Sequence, residues 1–197
     1  MTTNIFQYGG EAQFSGKWST ITTARAFNAC LLNVPTAATH WMRYTTGATA
    51  ALTLNEILTG GTSTKTCRLV AQATEDGTIL GGDQTGIILV NQLSGTFTAA
   101  GEILTGAIST GVVTIIQGFL PIRSFGMPKA LFFTVEAASI TYSIDGTTPT
   151  ATGSTNLGHQ LANGGSEVIR GWQNIQNFKA INTTDANGAR MKYTLFY

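Results

Sequence analysis

Apolar residues in this chain recur at every second position over short stretches, and glycines part the stretches from one another. The last eight residues show the pattern plainly: Met191, Tyr193, Leu195 and Tyr197 alternate with Arg190, Lys192, Thr194 and Phe196. A period of two marks a half-buried strand, because successive side chains leave a strand on opposite faces. The same reading predicts strands over 38–46, 66–73, 85–92, 112–117, 167–171 and 177–182, with 130–136 and 139–144 a pair joined through Ala137-Ala138. Turn signals lie between them at Glu75-Asp76-Gly77, Gly81-Gly82-Asp83 and Asp145-Gly146-Thr147-Thr148-Pro149. Only residues 22–32 read as a helix, and Thr and Asn interrupt it. Short strands at roughly ten-residue spacing with glycine turns predict an all-β barrel or sandwich.

One phrase occurs twice. Residues 55–66 read NEILTGGTSTKT and residues 101–112 read GEILTGAISTGV, so Glu56/Glu102, Leu58/Leu104, Gly60/Gly106, Ser63/Ser109 and Thr64/Thr110 correspond. Each copy predicts a strand (51–58 and 97–104) running into a tight Thr-Gly turn. The two prolines Pro121 and Pro128 follow the second copy, and neither can donate to a sheet ladder. The expected organisation is therefore an N-terminal arm over 1–17, with the first strand of the fold as the other reading of that stretch, and a β-rich lobe over 18–120. That lobe carries the duplicated unit at 51–73 and 97–117, and an antiparallel β-sandwich follows over 121–197.

Composition changes the picture in one respect. Charged residues make up 11% of the 197, against about a quarter in ordinary soluble domains, while hydrophobic content is 43%. A surface wetted by Thr, Ser, Asn and Gln is easily buried against a neighbour, since few charges need desolvating. A net charge of +1 offers no footprint for nucleic acid or an anionic membrane. The first residues, MTTNIFQYGGEAQF, show neither a basic nor an apolar signal region, so the expectation is synthesis in the cytoplasm. Apolar runs such as 86–90 and 112–116 are strand-length, too short to span a bilayer as helix.

Candidate chemistry is sparse. His40 and His159 stand far apart, each without a nearby Cys or Asp, which argues against a metal pair. His159, Asp145 and a serine make a triad only on paper, because no G-x-S-x-G elbow is present. Glu75, Asp76 and Asp83 surround two glycine turns, but supply fewer oxygens than the six to eight that calcium takes. The glycine pairs 9–10, 60–61, 81–82 and 164–165 precede no Lys-bearing helix and read as turns rather than phosphate cradles. Glu56 and Glu102 resemble a glycosidase pair only superficially: duplication makes them equivalent, whereas acid and nucleophile need different environments. Each is expected to accept hydrogen bonds from its own Thr-Gly turn. Cys30 and Cys67 read as two reduced, buried thiols, and Trp41 and Trp172 as core residues rather than a sugar platform. Asn182-Thr183-Thr184 is a glycosylation sequon that matters only on a secreted chain. No catalytic, cofactor-binding or metal-binding residue is expected.

The E-I-L-T-G-x-x-S-T units resemble the Gly-Glu-x-x-x-Gly-x-x-Ser-Gly-Ala repeats of tailed-bacteriophage virion proteins, with Ser63-Thr64 and Ser109-Thr110 standing where Ser-Gly is common. The stretch from Tyr142 onward (YSIDGTTPTATGSTNLG and beyond) is similar to small β-sandwich modules of phage structural proteins. The resemblance implies a place in a virion rather than a reaction. It points first to a capsid decoration or cement protein, a homotrimer on the major capsid protein at the outer shell. A tail, adaptor or fibre part and a carbohydrate-binding attachment module are the other readings.

Overall fold

The computed structural model describes residues 12–18, 25–47, 50–78, 81–98, 101–123, 126–150, 158–183 and 188–197. In chain order the elements are β1 (Ala12–Trp18), β2 (Arg25–Ala26), α1 (Ala29–Leu32), β3 (His40–Gly47), β4 (Ile57–Gly60) and β5 (Thr66–Asp76). They continue with β6 (Thr85–Asn91), β7 (Ile103–Gly106), β8 (Val112–Ile115), β9 (Leu120–Pro121), β10 (Ala130–Glu136) and β11 (Ile140–Ser143). The last are β12 (His159–Leu161), β13 (Ser166–Arg170), α2 (Trp172–Gln176), β14 (Lys179–Asn182) and β15 (Arg190–Phe196). The chain is all-β, as its alternation predicts. It forms two units, one of Val34–Phe125 and one that joins Met1–Asn33 to Gly126–Tyr197.

The first unit is a closed antiparallel barrel in the order β3-β6-β5-β4-β7-β8, with β8 returning to β3. Closure depends on β3, whose His40–Tyr44 pair with β6 along one side. Along its other side Tyr44–Gly47 meet β8, and His40 and Trp41 meet β9. A register shift between Tyr44 and Thr46 bends β3 where it changes partner. Inward positions form one core of Met42, Tyr44, Leu58, Leu69, Ile88 and Leu104 with their neighbours. β6 is buried at five consecutive residues, which is why 86–90 reads as an unbroken apolar run rather than an alternation.

The second unit is a sandwich of two four-stranded antiparallel sheets, β1-β15-β10-β13 and β12-β11-β14-β2. Aromatic rings join the layers. Phe133 of β10 lies 5.2 Å from Phe178 and 5.5 Å from Tyr142 of β11 between ring centroids, and Phe27 lies 4.9 Å from both Trp18 and Tyr193. The Tyr197 hydroxyl donates to the Leu31 carbonyl and ties the end of β15 to α1. Among the described residues no helix is long and apolar enough to cross a membrane.

Several expectations need correction. Residues 12–18 are not part of an arm: they form β1, paired along β15 from Ala12↔Phe196 to Trp18↔Met191. Residues 1–11 lie outside the described residues. The helix expected over 22–32 shrinks to one turn, Ala29–Leu32, preceded by β2, while 22–24 lie outside the described residues. Residues 18–33 thus group with the sandwich rather than with the duplicated lobe, and the second division falls after residue 125. β10 and β11 do not pair with each other. Ala137, at φ 73°, turns the chain between them so that they enter opposite sheets.

β15 lies between β1 and β10, an interior position with Met191 and Leu195 wholly buried. Truncation before Met191 is expected to yield insoluble protein, because two strands lose their ladder partner and the core its floor. Solubility and far-ultraviolet circular dichroism of the truncated chain test this, and a soluble, folded product would refute it.

Candidate functional site

The duplicated phrase builds one arrangement out of two. β4 and β7 lie side by side and antiparallel, with Thr59 opposite Thr105. Each copy therefore presents its turn to the start of the other, around a local two-fold axis through those threonines. Backbone bonds cross in matched pairs: Gly61 N–H donates to the Ile103 carbonyl and Ala107 N–H to the Ile57 carbonyl, both at 2.9 Å. The carboxylates follow the same exchange. Glu56 Oε2 accepts from the N–H groups of Ile108 and Ser109 at 3.0 Å, and Oε1 accepts from the Ser109 hydroxyl at 2.8 Å and Thr53 N–H at 2.5 Å. Glu102 Oε1 accepts from Ser63 N–H at 2.7 Å. The expectation that each glutamate serves its own turn is overturned: each serves the other copy's.

The remaining residues of the phrase follow from this exchange. Gly60 and Gly106 face the incoming carboxylates. A Cβ on Gly106 would sit 2.5 Å from Glu56 Oε2 and Ser109 Oγ, and one on Gly60 would collide with Glu102 in the same manner. Asn55 and Gly101 occupy the left-handed region at φ 67° and 96°, and their N–H groups donate to Leu69 and Ile115 carbonyls. Asn and Gly are the residues that tolerate that region best. These kinks delay strand entry, so the strands expected over 51–58 and 97–104 begin only at Ile57 and Ile103. Thr64 and Thr110 also lie there, at φ 58° and 55°, although a β-branched residue is strained in it.

Burial alone would raise the pKa of Glu56, which is 1% exposed. The donors from Ser109, Thr53 and Ile108 outweigh burial and hold it below its ordinary 4.5. Glu102, 2% exposed, behaves likewise: burial opposes, and the Ser63 hydroxyl and N–H, with Thr98 and Thr62, prevail. Two carboxylates held below their ordinary value thus brace the barrel, although Glu102 Oε2 is buried without a hydrogen-bond partner.

The other candidates are placed individually. Ser143, Asp145 and His159 meet around a cleft of about 370 Å³ on the sandwich. There the Ser143 hydroxyl donates to the Thr147 carbonyl at 2.6 Å, and Asp145 Oδ1 accepts from the Thr147 N–H at 3.0 Å and hydroxyl at 2.7 Å. The His159 ring packs against Tyr142, 5.4 Å between centroids. A nucleophilic serine gives its proton to the base, whereas this one holds a turn. His40 Nδ1 lies 3.0 Å from the Thr39 hydroxyl. Glu75 does not face the Asp83 turn; it forms a bidentate pair with Arg43. Asp83 instead accepts from Thr78 N–H at 2.9 Å. Among the described residues no three His, Cys, Asp or Glu side chains gather as metal ligands. Both cysteines are free, and burial pushes Cys30 to about 11 and Cys67 to about 12. Trp41 is buried and Trp172 half-buried, and none of the described aromatic side chains is exposed. Asn182 is also buried.

What sequence reasoning missed is a face. The outward positions of β4, β7 and β8 are Ile57, Thr59, Ile103, Thr105, Val112 and Thr114, and none carries a charge. Of these Ile103 is 49% exposed, and beside them Ile108 and Ile116 are 71% and 43% exposed. The signal was present in the alternation, had both phases of each short strand been read as surfaces. No protein-family model, curated protein or solved structure matches the chain.

Two predictions come from the exchange. Because both carboxylates titrate lower in the fold than unfolded, their stabilisation is complete above the unfolded value, near pH 4.5, and fades as pH falls through the lowered folded values. Glu56→Gln should cost about 2–3 kcal/mol at neutral pH. The double variant Glu56→Gln/Glu102→Gln should flatten the acid limb of the thermal midpoint below about pH 4.5; an unchanged limb would refute the assignment. Separately, Thr64→Gly and Thr110→Gly should each raise stability by roughly 1 kcal/mol, relief of left-handed strain exceeding the added unfolded-state entropy. Denaturant midpoints test this, and a fall would refute it.

Proposed function

We propose that this chain is a non-enzymatic structural protein of a bacteriophage virion, a capsid decoration protein that binds the outer shell and stabilises contacts between capsomers. The observation that carries the reading is the charge-free face of β4, β7 and β8, with Ile103, Ile108 and Ile116 exposed on a chain only 11% charged. Monomeric proteins rarely leave such a surface bare, and exposed apolar patches mark interaction sites. The likeness of the E-I-L-T-G-x-x-S-T repeat to virion repeats supplies the setting. In this reading the working form is a homotrimer, which suits the three-fold positions of a capsid lattice, and the partner is the major capsid protein. The chain is made in the host cytoplasm and uses no cofactor.

Antibody-labelled electron microscopy of purified particles is expected to place the protein on the head surface. Binding to shells lacking it should change little between low and high salt, because few charges are screened. Ile103→Glu/Ile108→Glu should lower occupancy at least tenfold without altering the thermal midpoint. Label confined to the tail, or absent from the particle, would overturn the reading.

A further inference from the structure

A second surface of the protein is closed rather than open. Among the described residues β13 ends the sheet β1-β15-β10-β13, with β10 as its one partner strand. Val135 N–H donates to Gly165 and Gly171 N–H donates to Lys129, at 2.9 and 3.1 Å. In an antiparallel ladder these bonds turn the backbone groups of residues 167 and 169, with the Gly165 carbonyl and the Gly171 N–H, toward β10 and those of Ser166, Val168 and Arg170 outward. Outward groups of an edge strand are a template on which another chain can add a strand.

Two of them are taken by side chains. The Val168 N–H donates to Glu167 Oε1 at 2.9 Å, so the preceding residue covers it with a carboxylate. The Arg170 carbonyl accepts from Asn174 Nδ2, also at 2.9 Å. Asn174 reaches it because Gly171, at φ 86°, turns the chain directly from β13 into α2. The donor and the acceptor that an incoming strand would need next to each other are thus both occupied, and one occupant is charged.

We propose that Glu167 and Asn174 close β13 against strand addition, and that the occupant they exclude is the β13 edge of a second copy of this chain. Two such edges meeting antiparallel would pair Val168 and Arg170 of one copy with the same residues of the other, the self-complementary form of a two-fold contact. The proposal is independent of the decoration reading, since it concerns the sandwich edge and not the barrel face.

Sedimentation velocity of the full chain at matched concentration tests it. Glu167→Val/Asn174→Ala should associate beyond the wild-type state, with the Val168 amide at least tenfold more protected from hydrogen exchange in the associated form. Glu167→Gln keeps the acceptor and should behave as wild type. Adding Val168→Pro to the double variant removes the outward donor without breaking a bond to β10, and should abolish the new association. The proposal is overturned if the double variant, folded by circular dichroism, sediments as wild type. It is equally overturned if the association survives Val168→Pro. Should the double variant not fold, Asn174→Ala alone must still raise the association constant, and no change there would count against the idea.

Discussion

Two buried carboxylates, handed across a local two-fold axis, hold the barrel where the two copies of the repeat meet. β4 and β7 are four residues each, and three residue pairs join them. Glu56 brings four donors to a single side chain, three of them from the opposite copy. Hydrogen bonds to a charged acceptor are worth roughly twice neutral ones. A buried carboxylate that lost its donors would be left desolvated and unpaired, which costs more than the bonds contribute. Arrangement and charge therefore stand or fall together. The glycines at 60 and 106, the serines at 63 and 109 and the left-handed residues at 55 and 101 are each fixed by the need to bring a backbone turn onto a carboxylate.

The class of fold was legible because its signal is local. Alternation over 130–136 and 190–196 marks β10 and β15 with the bounds the structure has. The repeat announced that Glu56 and Glu102 are equivalent. It could not say which turn each serves, because a repeat fixes correspondence and not pairing. The aligned Asn55 and Gly101 did carry information: both favour left-handed backbone, and together they mark a kink ahead of each strand. Partnerships across long separations stayed hidden. Nothing in residues 12–18 states that they pair with residues 191–196, and the Ala137-Ala138 link reads as a hairpin although it crosses between sheets. The meeting of Ser143, Asp145 and His159 was also invisible; Ser143 and Asp145 bond Thr147, and the His159 ring packs on Tyr142.

Charge is distributed unequally between the two units' exposed sheets. On the sandwich, Lys17 stands opposite Lys192 in the ladder, and Lys192 reaches Glu136 of the next strand at 2.6 Å. With both partners largely exposed, such a pair adds little stability, but it keeps that face hydrated. The edge of the same sheet is covered by Glu167 and Asn174. On the barrel, the outward side of β4, β7 and β8 has no such provision.

The interrupted layout of the sandwich bears on how the chain comes into being. The barrel occupies Val34–Phe125, between the two pieces of the sandwich, so during synthesis it is complete while β15 has yet to be made. The first strand, with Phe14 destined to face Leu195, must wait through the whole of that interval. At ~5–20 residues per second the wait is on the order of ten to thirty seconds, longer than the milliseconds to seconds in which small β-barrels fold. The nascent protein is thus a finished barrel carrying an unmatched strand, and an uncommitted strand on a ribosome is a target for chaperones. The rate of ribosomal elongation, rather than any barrier in the barrel, sets when the sandwich can close.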